Sequence, residues 1–257
     1  MKKPYIVLFC AVVVCGIIIT YFQLNKNSLI ENNYTKADLH IAIICDGNRR
    51  YGKKKGVGKL GGYNTGERNC FECIKWCNNM KVKVLTLFLF GEDNFKRDKK
   101  EVKYIFELLE NAIYTRYKDY VMKNNIKFKL LTTTQNVPDV AKKSFLNCQQ
   151  LQKDTQYHTG MVLQLCIGYS GTTDIEQAAS KTLIESSNFQ DNLTTKGIPD
   201  PDILIRTSGE KRLSNFMLYQ LAYTELFFLD KQWPEFTKRD LVKVLHDYSK
   251  RNKRFGK

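Results

Sequence analysis

The chain has 257 residues, of which 43% are hydrophobic, and this length and composition exclude a disordered protein and allow one ordinary domain with an appendage. The 41 Lys and Arg residues outnumber the 26 Asp and Glu residues, which gives a formal net charge of +15. Such a charge indicates a polyanionic partner, which could be a nucleic acid, an anionic lipid surface or a diphosphate.

The first predicted element is the apolar run Tyr5–Phe22, which contains no charged residue and follows Lys2 and Lys3. Its length is close to that needed to cross a bilayer. A cleaved signal peptide is the alternative, but the run is long for one and no small-residue cleavage pattern follows it. We predict an uncleaved single membrane anchor at residues 1–24 and a polar linker at residues 25–38.

From Leu39 onward, short apolar runs alternate with longer amphipathic stretches. The apolar runs predict strands at His40–Cys45, Lys83–Phe90, Ile126–Thr132, Met161–Ile167 and Asp202–Ile205. The amphipathic stretches predict helices at Gly66–Met80, Glu101–Asn124, Val140–Gln156, Asp174–Ser186, Leu213–Leu221 and Lys238–Arg251. This alternation is typical of an α/β domain with a mostly parallel central sheet, in which ligands bind at the carboxyl ends of the strands.

Three cysteines in the first long helix, Cys70, Cys73 and Cys77, have a spacing that zinc ligands can show. The same spacing forms an apolar stripe on a helix, and no second cysteine pair or nearby histidine completes a tetrahedral site. We therefore predict that these thiols pack in the core.

A polar, basic segment at residues 46–56 follows the first predicted strand directly. Asp46 could bind Mg²⁺ there, while the glycines allow backbone N–H groups to approach an anion that the cations neutralise. Lys59 and three glycines then lead into a helix whose start could receive phosphate. The segment is not a Walker A loop, because no Gly-Lys-Ser/Thr follows the glycines. An ordinary basic surface turn is the alternative.

Two further polar segments, Phe90–Arg97 and Ile205–Phe216, also follow predicted strands. In the second of them, Arg206, Arg212 and Ser214 surround a glycine turn and could cradle a diphosphate. Farther along, Glu225 stands in an apolar run. A buried carboxylate there would need a cation or a metal, whereas an exposed glutamate at a helix end would need neither.

The segments His40–Tyr51, Leu85–Arg97 and Pro201–Phe228 resemble the three signatures of the cis-prenyltransferases, the undecaprenyl and dehydrodolichyl diphosphate synthases. Gly168–Gly171 and Trp233–Phe236 are also similar to motifs of that family, so the resemblance spans residues 39–257. It implies an α/β catalytic domain with a six-stranded, mostly parallel sheet flanked by helices, an apolar tunnel for the growing product, and a homodimer.

The resemblance implies a Mg²⁺-dependent enzyme that condenses isopentenyl diphosphate onto an allylic diphosphate such as farnesyl diphosphate. The product would be a long-chain polyprenyl diphosphate, the precursor of a dolichol- or undecaprenol-type lipid carrier. Asp46 and Glu225 would bind the metal, with Glu225 reaching the site from a partner subunit or from a neighbouring loop. Asp46 and Asn94 would be the catalytic residues, Asn94 by assisting proton removal.

The resemblance also assigns substrate-binding positions. Gly47, Asn48, Arg49, Arg50 and Lys59 would bind the allylic diphosphate. The diphosphate of isopentenyl diphosphate would be held by Arg97, Arg206, Arg212 and Ser214, and Phe95 would pack near the prenyl chain. The remaining positions of the matched segments that are expected to contact substrate are Tyr51, Tyr63, Gly91, Glu92, Asp93 and Leu213.

Several positions depart from the family pattern. The family usually has a small residue, tryptophan, histidine, serine and arginine at the positions held here by Arg49, Tyr51, Tyr63, Gly91 and Thr172. A proton or phosphate role of the family's histidine therefore does not transfer directly to Tyr63.

Two other function classes compete with an active enzyme. The first is a non-catalytic accessory subunit of a heteromeric enzyme, but such subunits lose the carboxylate that this chain retains as Asp46. The second is a nucleic-acid-binding domain, but the chain lacks a motif that reads bases. We therefore predict an active enzyme with no nucleic-acid partner, anchored at a membrane, with the endoplasmic reticulum as the expected location.

Overall fold

The computed structural model describes residues 38–251, so the predicted anchor and nearly all of the predicted linker lie outside the described residues. Within residues 38–251, no helix combines the length and the hydropathy that a membrane span requires.

The described residues form an α/β domain around a six-stranded sheet in the order β3-β4-β2-β1-β5-β6. The strands are β1 (His40–Ile44), β2 (Val84–Gly91), β3 (Lys127–Leu131), β4 (Val162–Tyr169), β5 (Ile203–Arg206) and β6 (Glu225–Phe228). Every neighbouring pair of these strands is parallel. The sheet confirms the predicted fold class, and burial on both faces explains why β1 is an unbroken apolar run after His40.

In the part of the chain that the structure describes, eight α-helices connect and flank these strands: α1 (Asn48–Lys54), α2 (Gly58–Asn79), α3 (Lys99–Ala112), α4 (Lys118–Lys123), α5 (Asp139–Asp154), α6 (Gly171–Glu185), α7 (Phe189–Asn192) and α8 (Lys238–Ser249). A π-helical turn at Ile113–Tyr117 joins α3 to α4, where one helix was predicted. Short 3₁₀ turns occupy Glu92–Lys96 and Trp233–Glu235.

The predicted helix at Leu213–Leu221 is wrong, because this segment forms a series of turns. Ser214, Asn215 and Met217 have positive φ angles of 49°, 61° and 46°, which a right-handed helix does not allow. The turns bury Phe216 and Met217 against β1 and β5 in a second, smaller core. The apolar spacing therefore reports burial of the segment rather than a helix.

The main core lies between the sheet and the helices α2, α3, α5 and α8. Cys70, Cys73 and Cys77 belong to this core and are almost completely inaccessible, as the apolar spacing on α2 predicts. Helix α1 packs closely on α2, since a Cβ atom at Gly62 would lie 2.1 Å from the backbone oxygen of Asn48. This close approach fixes the basic α1 at the carboxyl edge of the sheet.

A buried histidine at the opposite edge makes the stability of the fold sensitive to acid. His40 Nδ1 lies 2.7 Å from the backbone oxygen of Pro199, and Nε2 lies 2.7 Å from Thr86 Oγ1. Burial lowers the pKa of His40 to about 4, although the bond to Pro199 and the charge of Asp202 act in the other direction. A carbonyl oxygen only accepts, so the neutral ring carries its proton on Nδ1.

We expect the folded protein to lose stability as the pH falls. In the unfolded chain His40 binds a proton with a pKa near 6.5, whereas in the folded protein its pKa is about 4, so protonation favours the unfolded chain. Between pH 7.5 and pH 5 this loss should be about 2 kcal/mol, measured by urea unfolding. A His40→Gln variant should lack this part of the pH dependence, whereas a control variant at the partly exposed His246 should keep it. Equal pH slopes for the wild type and His40→Gln would contradict the prediction.

Candidate active site

The three polar segments that follow β1, β2 and β5 meet at the carboxyl edge of the sheet, where they line a cavity of about 1240 Å³. The segment after β4 also contributes to the lining through Tyr169 and Ser170. The sequence-predicted residues that line the cavity are Asp46, Gly47, Asn48, Arg49, Arg50, Lys59, Tyr63, Gly91, Glu92, Asp93, Asn94, Arg97, Arg206, Arg212 and Ser214. The parallel sheet therefore brings together segments that are distant in sequence.

The backbone of Asp46 is held by hydrogen bonds to Thr207 and Trp233. The Asp46 N–H donates to Thr207 Oγ1 at 3.1 Å, and the Asp46 carbonyl accepts from Thr207 Oγ1 at 2.7 Å and from the Trp233 N–H at 2.9 Å. Gly47 follows with a φ angle of 107°, and a Cβ atom there would lie 2.3 Å from Gln232 Oε1. Only glycine therefore suits this turn, which leads the chain from β1 into α1.

The side chain of Asp46 is paired with two arginines. Its Oδ2 atom lies 3.0 Å from Arg206 Nη2 and 3.6 Å from Arg50 Nη2. The Asp46 side chain is 32% exposed, whereas that of Arg206 is only 3% exposed. Arg206 Nη1 also donates to Ser214 Oγ at 2.8 Å and to the backbone oxygen of Arg212. A buried guanidinium thus holds both the carboxylate and the turn that carries Arg212.

A second carboxylate, Glu210, was not predicted from the sequence. It lies 3.0 Å from Arg50 Nη1 and forms an ion pair with Arg212. The hydrogen bond from Arg212 lowers the pKa of Glu210, and Arg50 adds to this effect although desolvation opposes it. Its place between Arg206 and Arg212 in the third segment is the signal that could have identified it.

The opposite wall of the cavity is organised by Glu101, which lies in the first turn of α3. The Tyr63 hydroxyl donates to Glu101 Oε1 at 2.7 Å, and side-chain nitrogens of Lys59, Arg49 and Arg97 lie 3.4, 3.8 and 3.8 Å from the carboxylate. Burial disfavours the ionised form, but the Tyr63 hydrogen bond and the three cations outweigh it and lower the pKa of Glu101. Glu101 was not predicted as a site residue from the sequence, although it follows the predicted substrate-binding residue Arg97 by four positions, at the start of a predicted helix.

Glu92 and Asn94 stand where β2 ends. The two carboxylate oxygens of Glu92 accept from Thr133 Oγ1 at 2.8 Å and from Thr173 Oγ1 at 2.9 Å. Asn94 Oδ1 accepts from the Gly91 N–H at 3.1 Å, which directs the Asn94 amide NH₂ away from the backbone of its own turn. Both side chains are therefore held in place by hydrogen bonds within the protein.

Three predicted substrate-binding residues do not line this cavity, namely Tyr51, Phe95 and Leu213. Leu213 packs against the second core, and the ring of Phe95 lies 4.9 Å from that of Phe90 and 5.6 Å from that of Phe106, measured between centroids. Phe88, Leu89 and Phe90 form an apolar wall of the cavity. The rings of Phe90, Phe95 and Phe106 pack against one another, and the apolar tunnel stays a prediction.

The prediction that Glu225 reaches Asp46 through a neighbouring loop is wrong within one chain. Glu225 begins β6 and lies beside Ile203, at the amino end of the sheet, whereas Asp46 follows the carboxyl end of β1. Glu225 instead forms an ion pair with Arg251. A parallel strand places its first residue at the edge opposite the active site, so only a second subunit could bring Glu225 to the metal.

The residues around Asp46 fit a Mg²⁺ ion that is shared with a phosphate ligand. Within residues 38–251, no cluster of three or more His, Cys, Asp or Glu side chains could hold a metal by itself. Magnesium is commonly held by one or two carboxylates together with substrate phosphates. Both ion pairs of Asp46 use Oδ2, so the ion pairs seen among the described residues leave Oδ1 for a metal. The donor set therefore suits a metal that arrives with its substrate.

The cavity combines a net positive charge with an apolar wall, since its cations outnumber the carboxylates of Asp46, Glu92, Asp93 and Glu210. The cations that line it are Arg49, Arg50, Lys53, Lys59, Arg97, Arg206 and Arg212, of which Lys53 was not predicted. Guanidinium groups bind phosphate oxygens in pairs, and the wall formed by Phe88, Leu89 and Phe90 suits a hydrocarbon. The arrangement suits an amphipathic ligand with a polyanionic head and an apolar tail.

Comparison with known proteins agrees with this geometry. A family model described as "Putative undecaprenyl diphosphate synthase" matches residues 44–256. An isoprenyl transferase of Aquifex aeolicus is 36% identical over 225 residues, which cover 85% of this chain and 95% of that protein. A tritrans,polycis-undecaprenyl-diphosphate synthase (geranylgeranyl-diphosphate specific) of Thermoplasma volcanium is 35% identical over 232 residues, which cover 85% of this chain and 88% of that protein.

The fold is also similar to a crystal structure of lavandulyl diphosphate synthase from Lavandula x intermedia in complex with dimethylallyl diphosphate. That structure has a TM-score of 0.78 and a sequence identity of 31%, and the match covers 85% of this chain and 98% of that chain.

Proposed function

The chain belongs to the undecaprenyl diphosphate synthase family of cis-prenyltransferases, and on that premise we propose that it condenses isopentenyl diphosphate onto an allylic diphosphate such as farnesyl diphosphate. The product would be a long-chain polyprenyl diphosphate that serves as the precursor of a dolichol- or undecaprenol-type lipid carrier. The observation that carries this proposal is the cavity in which Asp46 and paired arginines face an apolar wall.

The reaction breaks the bond between the allylic carbon and its diphosphate, so the site must stabilise the negative charge that develops on the departing oxygens. In this proposal the cavity-lining residues beside Asp46 bind that diphosphate, namely Gly47, Asn48, Arg49, Arg50 and Lys59. Arg97, Arg206, Arg212 and Ser214 also line the cavity, and in this proposal they bind the diphosphate of isopentenyl diphosphate. Because the cations among these residues are already paired with carboxylates, they need little reorganisation when the substrates bind.

The carbon skeletons must meet in a space that excludes water, because water would capture the electrophilic allylic carbon. The side chains of Phe88, Leu89 and Phe90 supply the apolar surface next to the charged residues. The Asn94 amide, held by the Gly91 N–H, faces the same cavity and could assist the proton that leaves isopentenyl diphosphate.

We propose that Mg²⁺ is the metal and that Asp46 is its ligand in this chain. When bound, the ion would neutralise the diphosphate oxygens and help them to depart. Asp46 is suited to this role because its carboxylate is partly exposed to the cavity while its backbone is fixed at the end of β1.

The experiment that tests the function is incorporation of radiolabelled isopentenyl diphosphate by the full chain in detergent, with farnesyl diphosphate as the primer. We expect labelled polyprenyl products when Mg²⁺ is present and none after chelation of the metal. The chain length of the products would identify the product class. A well-folded protein that forms no product under either condition would contradict the proposal and would favour the accessory subunit.

We also propose a homodimer, because β6 is the last strand in the sheet order and exposed apolar side chains lie beside it. Tyr223 is 72% exposed and Leu226 is 37% exposed. In a dimer formed through this face, Glu225 of one copy could reach the active site of the other copy. Light scattering in detergent that gives the mass of a monomer at micromolar concentration would contradict this proposal.

Membrane attachment through residues 1–24, at the endoplasmic reticulum, stays a proposal based on the apolar run Tyr5–Phe22. A chain that begins at residue 25 should leave the membrane fraction and keep its turnover. Tight membrane binding of the shortened chain would show that another surface attaches it.

A further inference from the structure

We propose that Glu101 is a positioning residue that sets the distance between the two diphosphate sites. The inference rests on the proposed function, in which Arg49 and Lys59 serve the allylic diphosphate and Arg97 serves isopentenyl diphosphate. Glu101 contacts all three of these cations, so it links one site to the other.

Glu101 acts through its neighbours and not on the substrates. The residue is 5% exposed and does not line the cavity, whereas Arg49, Lys59, Arg97 and Tyr63 all do. Two further hydrogen bonds hold Glu101, one at its backbone and one at its carboxylate. The Asp98 side chain caps α3 by accepting from the Glu101 N–H at 3.0 Å, and the Tyr63 hydroxyl donates to Glu101 Oε1 at 2.7 Å.

The distances from the Glu101 carboxylate to the three cations indicate that it attracts all of them and neutralises none of them completely. The nitrogen atoms of Lys59, Arg49 and Arg97 lie 3.4, 3.8 and 3.8 Å from the carboxylate, which is longer than a strong charge-assisted hydrogen bond. Three like charges repel one another, and one central carboxylate offsets that repulsion while leaving their N–H groups able to bind phosphate oxygens.

Tyr63 adds a second connection between Glu101 and Arg97. Its oxygen accepts from Arg97 Nη1 at 3.2 Å while its proton is donated to Glu101, so the Arg97 guanidinium is fixed by two groups. The family usually has a histidine at this position, and a tyrosine hydroxyl supplies here the donor that orients the carboxylate.

The role of Glu101 can be tested because two explanations predict changes of opposite sign. If Glu101 only competed with phosphate for the cations, Glu101→Gln would raise the affinity for a diphosphate, because it removes a negative charge. If Glu101 positions the cations, the same change should lower the affinity, because the three cations separate from one another.

The experiment is a calorimetric titration of the full chain in detergent with inorganic diphosphate. We expect Glu101→Gln to weaken binding roughly tenfold and Glu101→Asp to restore part of the loss, since it keeps the charge. The matched control is Glu107→Gln, which removes an exposed ion pair with Lys103 on the same helix and should leave binding unchanged. In steady-state assays the KM values for both substrates should rise together.

Equal or tighter binding by Glu101→Gln would overturn the inference, and so would a rise in KM for one substrate alone. If Glu101→Gln melts at a lower temperature than the wild type, Glu101→Asp decides: restored affinity supports positioning, and affinity as weak as that of Glu101→Gln overturns it. A wild-type chain that binds no diphosphate would contradict the proposed function instead.

Discussion

Replacing Asp46 with Asn is expected to lower the turnover rate by about a thousandfold or more, because it removes the carboxylate placed to share a metal with the diphosphate. Asn has nearly the same shape as Asp, and its side-chain oxygen can still accept a hydrogen bond from Arg206 Nη2, which lies 3.0 Å from Asp46 Oδ2. The rate of the chemical step should therefore decrease, while the local structure is kept. Radiolabel incorporation at saturating substrates and Mg²⁺ measures it.

The fold should survive this change, since the loop is fixed by its backbone contacts with Thr207 and Trp233. We expect a decrease of no more than about 2 kcal/mol in the free energy of unfolding. The matched control is Asp139→Asn, which removes an exposed carboxylate that pairs with Lys142 at the start of α5. Turnover by Asp46→Asn within tenfold of the wild type would show that Asp46 is not the essential carboxylate.

The sequence was sufficient to predict the sheet and most of the cavity, because both depend on short local patterns. The central strands of a parallel sheet are mostly apolar, which identified β1, β2, β4 and β5, and the edge strand β3 was identified from the shorter apolar pattern around Phe128 and Leu131. The polar segment after each of three strands then had to lie at the same edge of the sheet. Asp46, Asn94 and Arg206, which are far apart in sequence, could be placed in one site on this basis.

Features that depend on the register or on the tertiary packing could not be predicted in this way. Glu225 stands near the third segment in sequence, but the pairing of β6 with β5 places it at the opposite edge. The turns at Ser214 and Asn215 adopt positive φ angles, and they are held by contacts with other elements: Arg206 Nη1 donates to Ser214 Oγ, and Asn215 Nδ2 donates to Ser170 Oγ. Glu101 looked like an ordinary helical glutamate until Arg49 and Lys59 were brought to it by α1 and α2.

Replacing Arg206 with Lys is expected to reduce both activity and stability, because one guanidinium holds three groups that one ammonium cannot reach together. Arg206 donates from Nη2 to Asp46, and from Nη1 to Ser214 and to the backbone of Arg212. Because the Arg206 side chain is only 3% exposed, water cannot freely replace the hydrogen bonds that the substitution removes. We expect a loss of roughly 2 kcal/mol or more in the free energy of unfolding and a decrease of about a hundredfold in turnover.

The two losses should be separable by temperature and by substrate. Assays far below the melting temperature, where the variant is folded, should still show the decrease in turnover, and the KM for isopentenyl diphosphate should rise because Arg212 and Ser214 lose their support. The control is Arg239→Lys at an exposed position in the first turn of α8, which should change neither quantity. If Arg206→Lys loses stability but keeps the wild-type turnover and KM when folded, Arg206 serves the fold alone, and the binding of isopentenyl diphosphate must be assigned to Arg97 and the remaining basic residues of the cavity.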